Sequence, residues 1–302
     1  MGCGVSRARR PGSLPSPSPE CLILVRSKKS PVPKSTLQTI CFEYISNNLD
    51  IVVKGTGKAA APTRLFTSLS LRQRQYALDL LVRSATLTSW QYSALLGAGI
   101  EEMVVEGYDG STVDDSFFAG LGGGADTIKR VKIENCKLVG ERLATGLRCC
   151  TGMEELSLRG CGSMSDSSVA ASLSGCCHSL KSVDLAFVRR IGATTMGALA
   201  KCVGLNAIIL EGCRSITQNQ LLGVLNSLKT LRLFSLGKTG VTITIELAKA
   251  ISALPLRELS LDTCIGVDGA LPLLLDGLPL VVHLDLSGWD IHDVITSHFE
   301  AC

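Results

Sequence analysis

The chain of 302 residues is 46% hydrophobic but only 4% aromatic, so its core must be built from aliphatic side chains, alanine and cysteine. A net charge of +3 gives no overall positive field for nucleic acid, and no apolar run of about 18 residues is free of charge, which argues against a transmembrane helix. Since no cleavable signal peptide precedes the thirteen cysteines, we expect free thiols in a reducing compartment.

The first 35 residues have an unusual composition. They carry seven basic residues and one acidic residue, a net charge of +6, which leaves −3 on residues 36–302. They also hold six of the ten prolines. Such a segment cannot bury enough apolar surface to order itself, so we expect residues 1–35 to be a disordered basic tail.

The N-terminus reads Met-Gly-Cys-Gly-Val-Ser, in which Gly2 and Ser6 fit the N-myristoylation pattern and Cys3 is placed for palmitoylation. One acyl chain binds membranes only marginally, but a second chain or the arginines that follow would make the anchor stable. The start resembles that of dual-acylated signalling proteins, which implies a cytoplasmic protein held on a membrane surface. The alternative is an unmodified tail.

Residues 35–49 place Leu37, Cys41 and Ile45 at helical spacing. This pattern resembles the elongin B/C-binding box, and Pro62 with Leu65 resembles the cullin-2 box that follows it in ubiquitin-ligase receptors. The resemblance implies that Leu37 enters a pocket of elongin C, with Cys41 packed beside it and Ile45 as the outer apolar contact. If the adaptor is Skp1 instead, the candidate for the F-box that would bind it is residues 62–81 of this chain. The alternative is that residues 36–98 form only a helical N-terminal cap.

Residues 99–302 repeat a nine-residue segment with apolar residues at places one, four and six, and Cys or another apolar residue at place nine. The sixth places are spaced by 28, 25, 27, 25, 23, 28 and 25 residues. They are Val105, Ile133, Leu158, Leu185, Leu210, Leu233, Leu261 and Leu286.

This pattern resembles cysteine-containing leucine-rich repeats, as in F-box and zyg-eleven/Zer proteins. The alternation at places four to six predicts short strands with one buried face, and the intervening stretches predict amphipathic helices. The predicted fold is therefore an α/β solenoid of about eight repeats, with a curved parallel sheet inside and helices outside. The ninth-place cysteines are predicted to be structural thiols of the core.

Places three, five and seven of each strand are predicted to face away from the core, on the concave side. They carry nine acidic residues against four basic ones, which favours a basic peptide or protein as partner and disfavours nucleic acid. Three apolar residues on neighbouring repeats interrupt this polar pattern and are expected to be exposed interface anchors. The predicted partner-binding residues are Asp184, Phe187, Ile209, Glu211, Arg232 and Phe234.

No pattern in the sequence indicates catalysis. The glycine-rich stretch at residues 120–124 precedes a predicted strand instead of following one, and Gly237-Lys238-Thr239 lacks the first glycine of a phosphate loop. The four histidines form no recognisable set with a nucleophile or metal ligands. We therefore expect that the protein binds no metal and no cofactor and is not an enzyme. We expect it to be a substrate-recognition subunit of a cullin-RING ubiquitin ligase. The alternative is a membrane-tethered scaffold with no ubiquitin role.

Overall fold

The computed structural model describes residues 69–70, 73–74, 76–77, 100–106, 115–118, 121, 127–267 and 269–289. In this part of the chain, short strands alternate with helices. The strands are β1 (Glu102–Glu106), β2 (Arg130–Glu134), β3 (Glu155–Ser157), β4 (Ser182–Asp184), β5 (Ala207–Ile209), β6 (Leu233–Ser235), β7 (Thr242–Ile243), β8 (Glu258–Ser260), β9 (Ile265–Gly266) and β10 (His283–Asp285).

One turn of 3₁₀ helix and six α-helices lie between these strands. They are the 3₁₀ turn Asp115–Phe118 and the helices α1 (Glu141–Arg148), α2 (Asp166–Ser174), α3 (Ala193–Leu199), α4 (Gln218–Ser227), α5 (Ile245–Ser252) and α6 (Ala270–Gly277). Eight strands form one parallel sheet in the order β1-β2-β3-β4-β5-β6-β8-β10. The remaining pair, β7 and β9, forms a separate two-stranded sheet.

The alternation of apolar residues explains this architecture. Side chains at places four and six, such as Val131 and Ile133, are fully buried, whereas Lys132 between them is exposed. Helix α1 buries Leu143 and Leu147 against the same core, which continues from Ile100 to Leu278. The last strand, β10, is exposed, and Leu284 at its place four is 37% exposed. A helix is about 10 Å wide while strands lie about 4.8 Å apart, so stacking puts the strands on the inner, concave side. The predicted leucine-rich-repeat fold is confirmed.

Ninth-place residues tie four of the repeats to the preceding one. The thiols of Cys161, Cys213 and Cys264 donate to the sixth-place carbonyls of the previous repeats, at 3.1, 3.1 and 3.3 Å. In the last repeat the indole Nε1 of Trp289 donates to the carbonyl of Leu261 at 2.9 Å. A thiol suits this place because it is apolar enough for the core and still a weak donor.

Acidic residues cap helices across the repeat boundary. The Asp166 carboxylate accepts hydrogen bonds from the amides of Gly192, Thr194 and Thr195 at 2.7–2.9 Å, at the start of α3. Asp115 does the same for α1. These bonds satisfy amide groups that a helix leaves without partners and complement its dipole.

The pairing of the strands corrects the predicted register of the sixth repeat. Phe234 pairs with Ile208 and Leu259, so it occupies place four, and Leu236 occupies place six instead of Leu233. The sixth place of this repeat, Leu236, then follows Leu210 by 26 residues and precedes Leu261 by 25. These spacings are more regular than the predicted 23 and 28. The local pattern permitted both readings because residues 228, 231, 233, 234 and 236 are all apolar.

Backbone conformation supports the corrected register. The eighth place of each repeat from β2 to β10 has a positive φ, between 55° and 81°, in a region that favours glycine or asparagine. In the sixth repeat this residue is Lys238, three residues beyond the predicted place. The eighth-place residues are Asn135, Gly160, Phe187, Gly212, Lys238, Thr263 and Gly288.

Part of the segment preceding the repeats also contacts the core. Residues 73–74 and 76–77 are helical, and Ser70 and Gln73 exchange hydrogen bonds in the manner of a capping box. Ala77 is fully buried in the core and Leu69 packs against it. Among the described residues, no helix is both long and apolar enough to cross a membrane.

Candidate functional site

The concave face is the surface of the eight-stranded sheet opposite the helices, formed by places three, five, seven and eight of the strand segments. Its centre lies where β3, β4 and β5 adjoin, because Arg159, Asp184, Phe187, Ile209 and Glu211 meet there. Asp184 and Ile209 are direct neighbours across the β4–β5 pair. The predicted site residues on these strands are therefore brought together.

Phe187 is held in place by its backbone conformation and by contacts on two sides. Its backbone has a φ of 60°, which bulky residues rarely adopt. The guanidinium carbon of Arg159 lies 5.3 Å from the ring centroid, a cation–π contact. On another side the ring lies against Gly212, where an added Cβ would come within 2.5 Å of Cδ1. Although so constrained, Phe187 is 37% exposed.

Arg159 also forms ion pairs with acids from the next two repeats. Its guanidinium lies 3.4 Å from Asp184 Oδ2 and 3.0 Å from Glu211 Oε2. Burial raises the pKa of Asp184 above its ordinary value, and the Ala186 amide and the Arg159 charge offset this only in part. Burial also opposes ionisation of Glu211, but hydrogen bonds from Lys238 and Arg159 outweigh it and lower the pKa. Arg159 thus orients both the aromatic ring and the acids around it.

The polar surface continues toward the last repeats. Lys238 Nζ lies 2.7 Å from Glu211 Oε1 and 3.7 Å from Asp262 Oδ2. Ser260 then donates to Asp285 at 3.1 Å. Asp285 also accepts from the hydroxyl and the amide of Ser287, which together lower its pKa. The contacts of Lys238 and Ser260 join neighbouring repeats, so the face presents a continuous line of polar groups in which acids predominate.

Two of the predicted partner-binding residues do not lie on this face. Phe234 is 1% exposed and belongs to the core, because it occupies place four and not place seven. Arg232 is exposed but lies at place two, before β6 begins. Phe187, Ile209, Asp184 and Glu211 are on the face, as predicted.

Sequence reasoning missed two residues because of the same error in register. In the sixth repeat, the basic residue on the face is Lys238 and not Arg232. The apolar residue on the face is Leu233 and not Phe234; Leu233 is half-buried and pairs with Ala207. The irregular spacings of 23 and 28 residues were the signal that could have found them.

Nothing among the described residues indicates a metal site, since no group of three or more His, Cys, Asp or Glu side chains could hold an ion there. Burial raises the pKa of Cys161, Cys176, Cys202 and Cys213 to about 12. Such thiols are poor nucleophiles and ligands at neutral pH.

Several predicted site residues lie outside the described part of the chain. They are the acylation residues Gly2 and Cys3, the elongin-box residues Leu37, Cys41 and Ile45, and the cullin-box residues Pro62 and Leu65. Their assignments stay predictions from the sequence.

Comparisons with known proteins add little. No family model matches the chain, and no curated protein matches it. It is similar to a solved structure of the Rad7 and Elc1 complex in yeast, with 14% identity, a TM-score of 0.30, and coverage of 84% of this chain and 87% of that one. It is also similar to the leucine-rich-repeat ectodomain of the Arabidopsis thaliana membrane receptor kinase GASSHO1/SCHENGEN3 in complex with CASPARIAN STRIP INTEGRITY FACTOR 2, with 16% identity, a TM-score of 0.39, and coverage of 67% and 28%. At such low identities and TM-scores neither similarity bears on function.

Proposed function

We propose that this protein is a binding module, not an enzyme, and that it captures a protein partner on its concave face. The observation that carries the proposal is Phe187, an aromatic side chain left 37% exposed while Arg159 and Gly212 fix its ring. Aromatic and arginine side chains in such surroundings supply much of the binding energy in protein interfaces. A preordered ring also loses little conformational entropy when a partner binds.

We further propose that the captured protein is a substrate of a cullin-RING ubiquitin ligase. The support is the sequence pattern of Leu37, Cys41 and Ile45, followed by Pro62 and Leu65. In this role residues 36–65 contact elongin B/C and the cullin, while the repeats hold the substrate. The concave face and the adaptor segment would then be separate surfaces.

Affinity purification from the cells that express the protein tests both parts. Wild type is compared with Phe187→Ala, with Leu37→Ala/Cys41→Phe, and with Ile245→Ala as the control. Ile245 is also 37% exposed but begins α5 on the helical side, so its loss removes similar apolar surface away from the face. We expect Phe187→Ala to lose the substrate but keep the elongins, and the double variant to do the reverse.

Two results would contradict these proposals separately. If Phe187→Ala captures the same proteins as Ile245→Ala, the concave face is not the binding surface. If wild type brings down neither elongins and a cullin nor Skp1, the ubiquitin-ligase role is wrong.

The second candidate function is a membrane-tethered scaffold with no ubiquitin role, located in the cytoplasm on a membrane surface. The pattern at Gly2 and Cys3 favours it, since two acyl chains would give a stable anchor. Mass spectrometry of the native N-terminus and fractionation of Gly2→Ala test the tether. An unacylated Gly2 in the native protein would exclude it.

A further inference from the structure

The concave face has two adjoining zones of different chemistry. The apolar zone consists of Phe187, Ile209 and Leu233, which follow or lie on β4, β5 and β6 and are exposed or half-buried. The acidic zone consists of Glu258, Asp262 and Asp285, which lie on or just after β8 and β10, with Glu258 and Asp285 exposed. Lys238 beside them already pairs with Glu211 and Asp262. An occupant should therefore carry an apolar stretch followed by basic residues.

The basic tail of this chain contains such a sequence. Residues 22–25 read Leu-Ile-Leu-Val, and Arg26, Lys28 and Lys29 follow directly. The tail has a net charge of +6, whereas residues 36–302 have −3. The β-branched and aliphatic run suits an extended conformation over a sheet face.

The spacing of the two zones agrees with the spacing in the tail. In the sheet, β5 is followed by β6, β8 and β10, so with about 4.8 Å between strands β8 and β10 lie about 10 Å and about 14 Å from β5, measured across the sheet. An extended chain advances about 3.3 Å per residue, so Lys28 lies about 13 Å beyond Leu24. One extended segment can thus place its apolar residues over the first zone and its bases over the second.

We propose that residues 22–29 dock on the concave face of their own chain, with residues 22–25 on the apolar zone and the following bases on the acidic zone. Because the tail is covalently attached, its effective concentration at the face is high even if the intrinsic affinity is weak. The tail would compete with a protein partner for Phe187, a consequence that rests on the function proposed above. The docking itself does not depend on that function.

Zero-length carbodiimide crosslinking of the full chain tests the docking, because the reagent joins only amines and carboxylates that touch. We expect Lys28 or Lys29 to couple to Glu258, Asp262 or Asp285. High salt should reduce this coupling, since exposed charges are then screened. The pair Lys181–Glu154, at 2.8 Å, is an internal positive control. Mixing labelled and unlabelled chains distinguishes coupling within one molecule from coupling between two.

Two tail variants separate docking from diffuse charge attraction. Ile23→Ser/Leu24→Ser keeps every charge but removes the apolar contact, so coupling should fall about tenfold or more, because each buried aliphatic side chain is worth at least a factor of ten. Val5→Ser/Leu14→Ser is the matched control and should couple like wild type. Any of three results would overturn the proposal. The tail does not couple although Lys181–Glu154 does, the tail couples mainly to other molecules, or Ile23→Ser/Leu24→Ser couples as much as wild type.

Partner capture measured on the same variants separates this proposal from the proposed function. If the tail of wild type couples but neither wild type nor Ile23→Ser/Leu24→Ser captures a protein, the docking stands and the proposed function is contradicted. If a partner is captured through Phe187 but the tail does not couple, the proposed function stands and the docking is contradicted. If both proposals are right, Ile23→Ser/Leu24→Ser captures more partner than wild type.

Discussion

At Phe187 the backbone, the ring and the neighbouring glycine depend on one another. The left-handed φ directs the ring across the sheet toward Gly212, and only the missing Cβ of Gly212 leaves room for it. Arg159 then covers the ring from the preceding repeat. A substitution of Gly212 should therefore displace the Phe187 ring without altering Phe187 itself.

Gly212→Ala is expected to destabilise the protein more than Gly240→Ala. Both glycines have a positive φ, 70° and 72°, so an alanine in either place costs about 1–2 kcal/mol of backbone strain. At Gly212 the new methyl group would also meet the Phe187 ring, whereas no atom lies within 4 Å at Gly240. Urea unfolding curves measure both losses. Equal losses would show that the ring can move aside freely.

At the scale of the element, the register of β6 decides which leucine belongs to the core. Leu236 is fully buried, but Leu233 is half-buried on the concave face. Both residues fit the sequence pattern, so their substitution distinguishes the two registers directly.

Leu236→Ala should lower the free energy of unfolding by about 2–5 kcal/mol, the usual cost of a cavity in a packed core. Leu233→Ala should cost about 1 kcal/mol, because it removes only partly buried surface. Denaturant unfolding of the two variants makes the comparison. A larger loss for Leu233→Ala would restore the register predicted from the sequence.

Asp166 links two helices and supplies a pH-dependent contribution to stability. Partial burial opposes its ionisation, but hydrogen bonds from Thr195 and from the amides of Gly192 and Thr194 outweigh it and lower the pKa well below the ordinary range. A carboxylate with a lowered pKa stabilises the fold above the pKa of the unfolded chain, about 4, and loses this effect as the pH falls.

Asp166→Asn should therefore cost about 1 kcal/mol at pH 7, and the difference from wild type should shrink as the pH falls below about 4. Glu246→Gln is the matched control, since Glu246 also lies in the first turn of a helix but Thr244 caps that helix. Thermal unfolding between pH 3 and pH 7 measures the effect. A difference that does not depend on pH would mean that charge is irrelevant to this cap.

At the scale of the whole molecule, one continuous core buries most of the cysteine thiols in the described residues. Seven of the nine cysteines in the described residues are buried, while Cys149 is exposed and Cys177 is partly exposed. The Cys177 sulfur lies 3.3 Å from Nδ1 of His178. Alkylation requires an accessible thiolate, so reactivity reports the packing of the solenoid.

Iodoacetamide at pH 8 should label Cys149 and Cys177 in the native protein well before any buried cysteine. Burial raises the pKa of Cys161 and Cys213 to about 12, so these thiols should react only after unfolding. Peptide mass spectrometry over a time course, with a urea-denatured sample as reference, gives the rates. Labelling of Cys213 as fast as Cys149 would contradict the packing described for β5 and its turn.

The sequence by itself determined the solenoid, the buried places of most repeats and the structural role of the ninth-place cysteines. These features follow from a short-range pattern that is repeated many times, so a wrong register in one repeat does not alter the prediction for the others. Only the tertiary structure decided the place of the sixth repeat, because overlapping apolar residues between 228 and 236 fit two registers and only pairing with β5 and β8 selects one. The contact of Arg159 with Phe187 and Glu211 was likewise unpredictable, since it joins residues 28 and 52 positions apart whose side-chain directions depend on a left-handed turn.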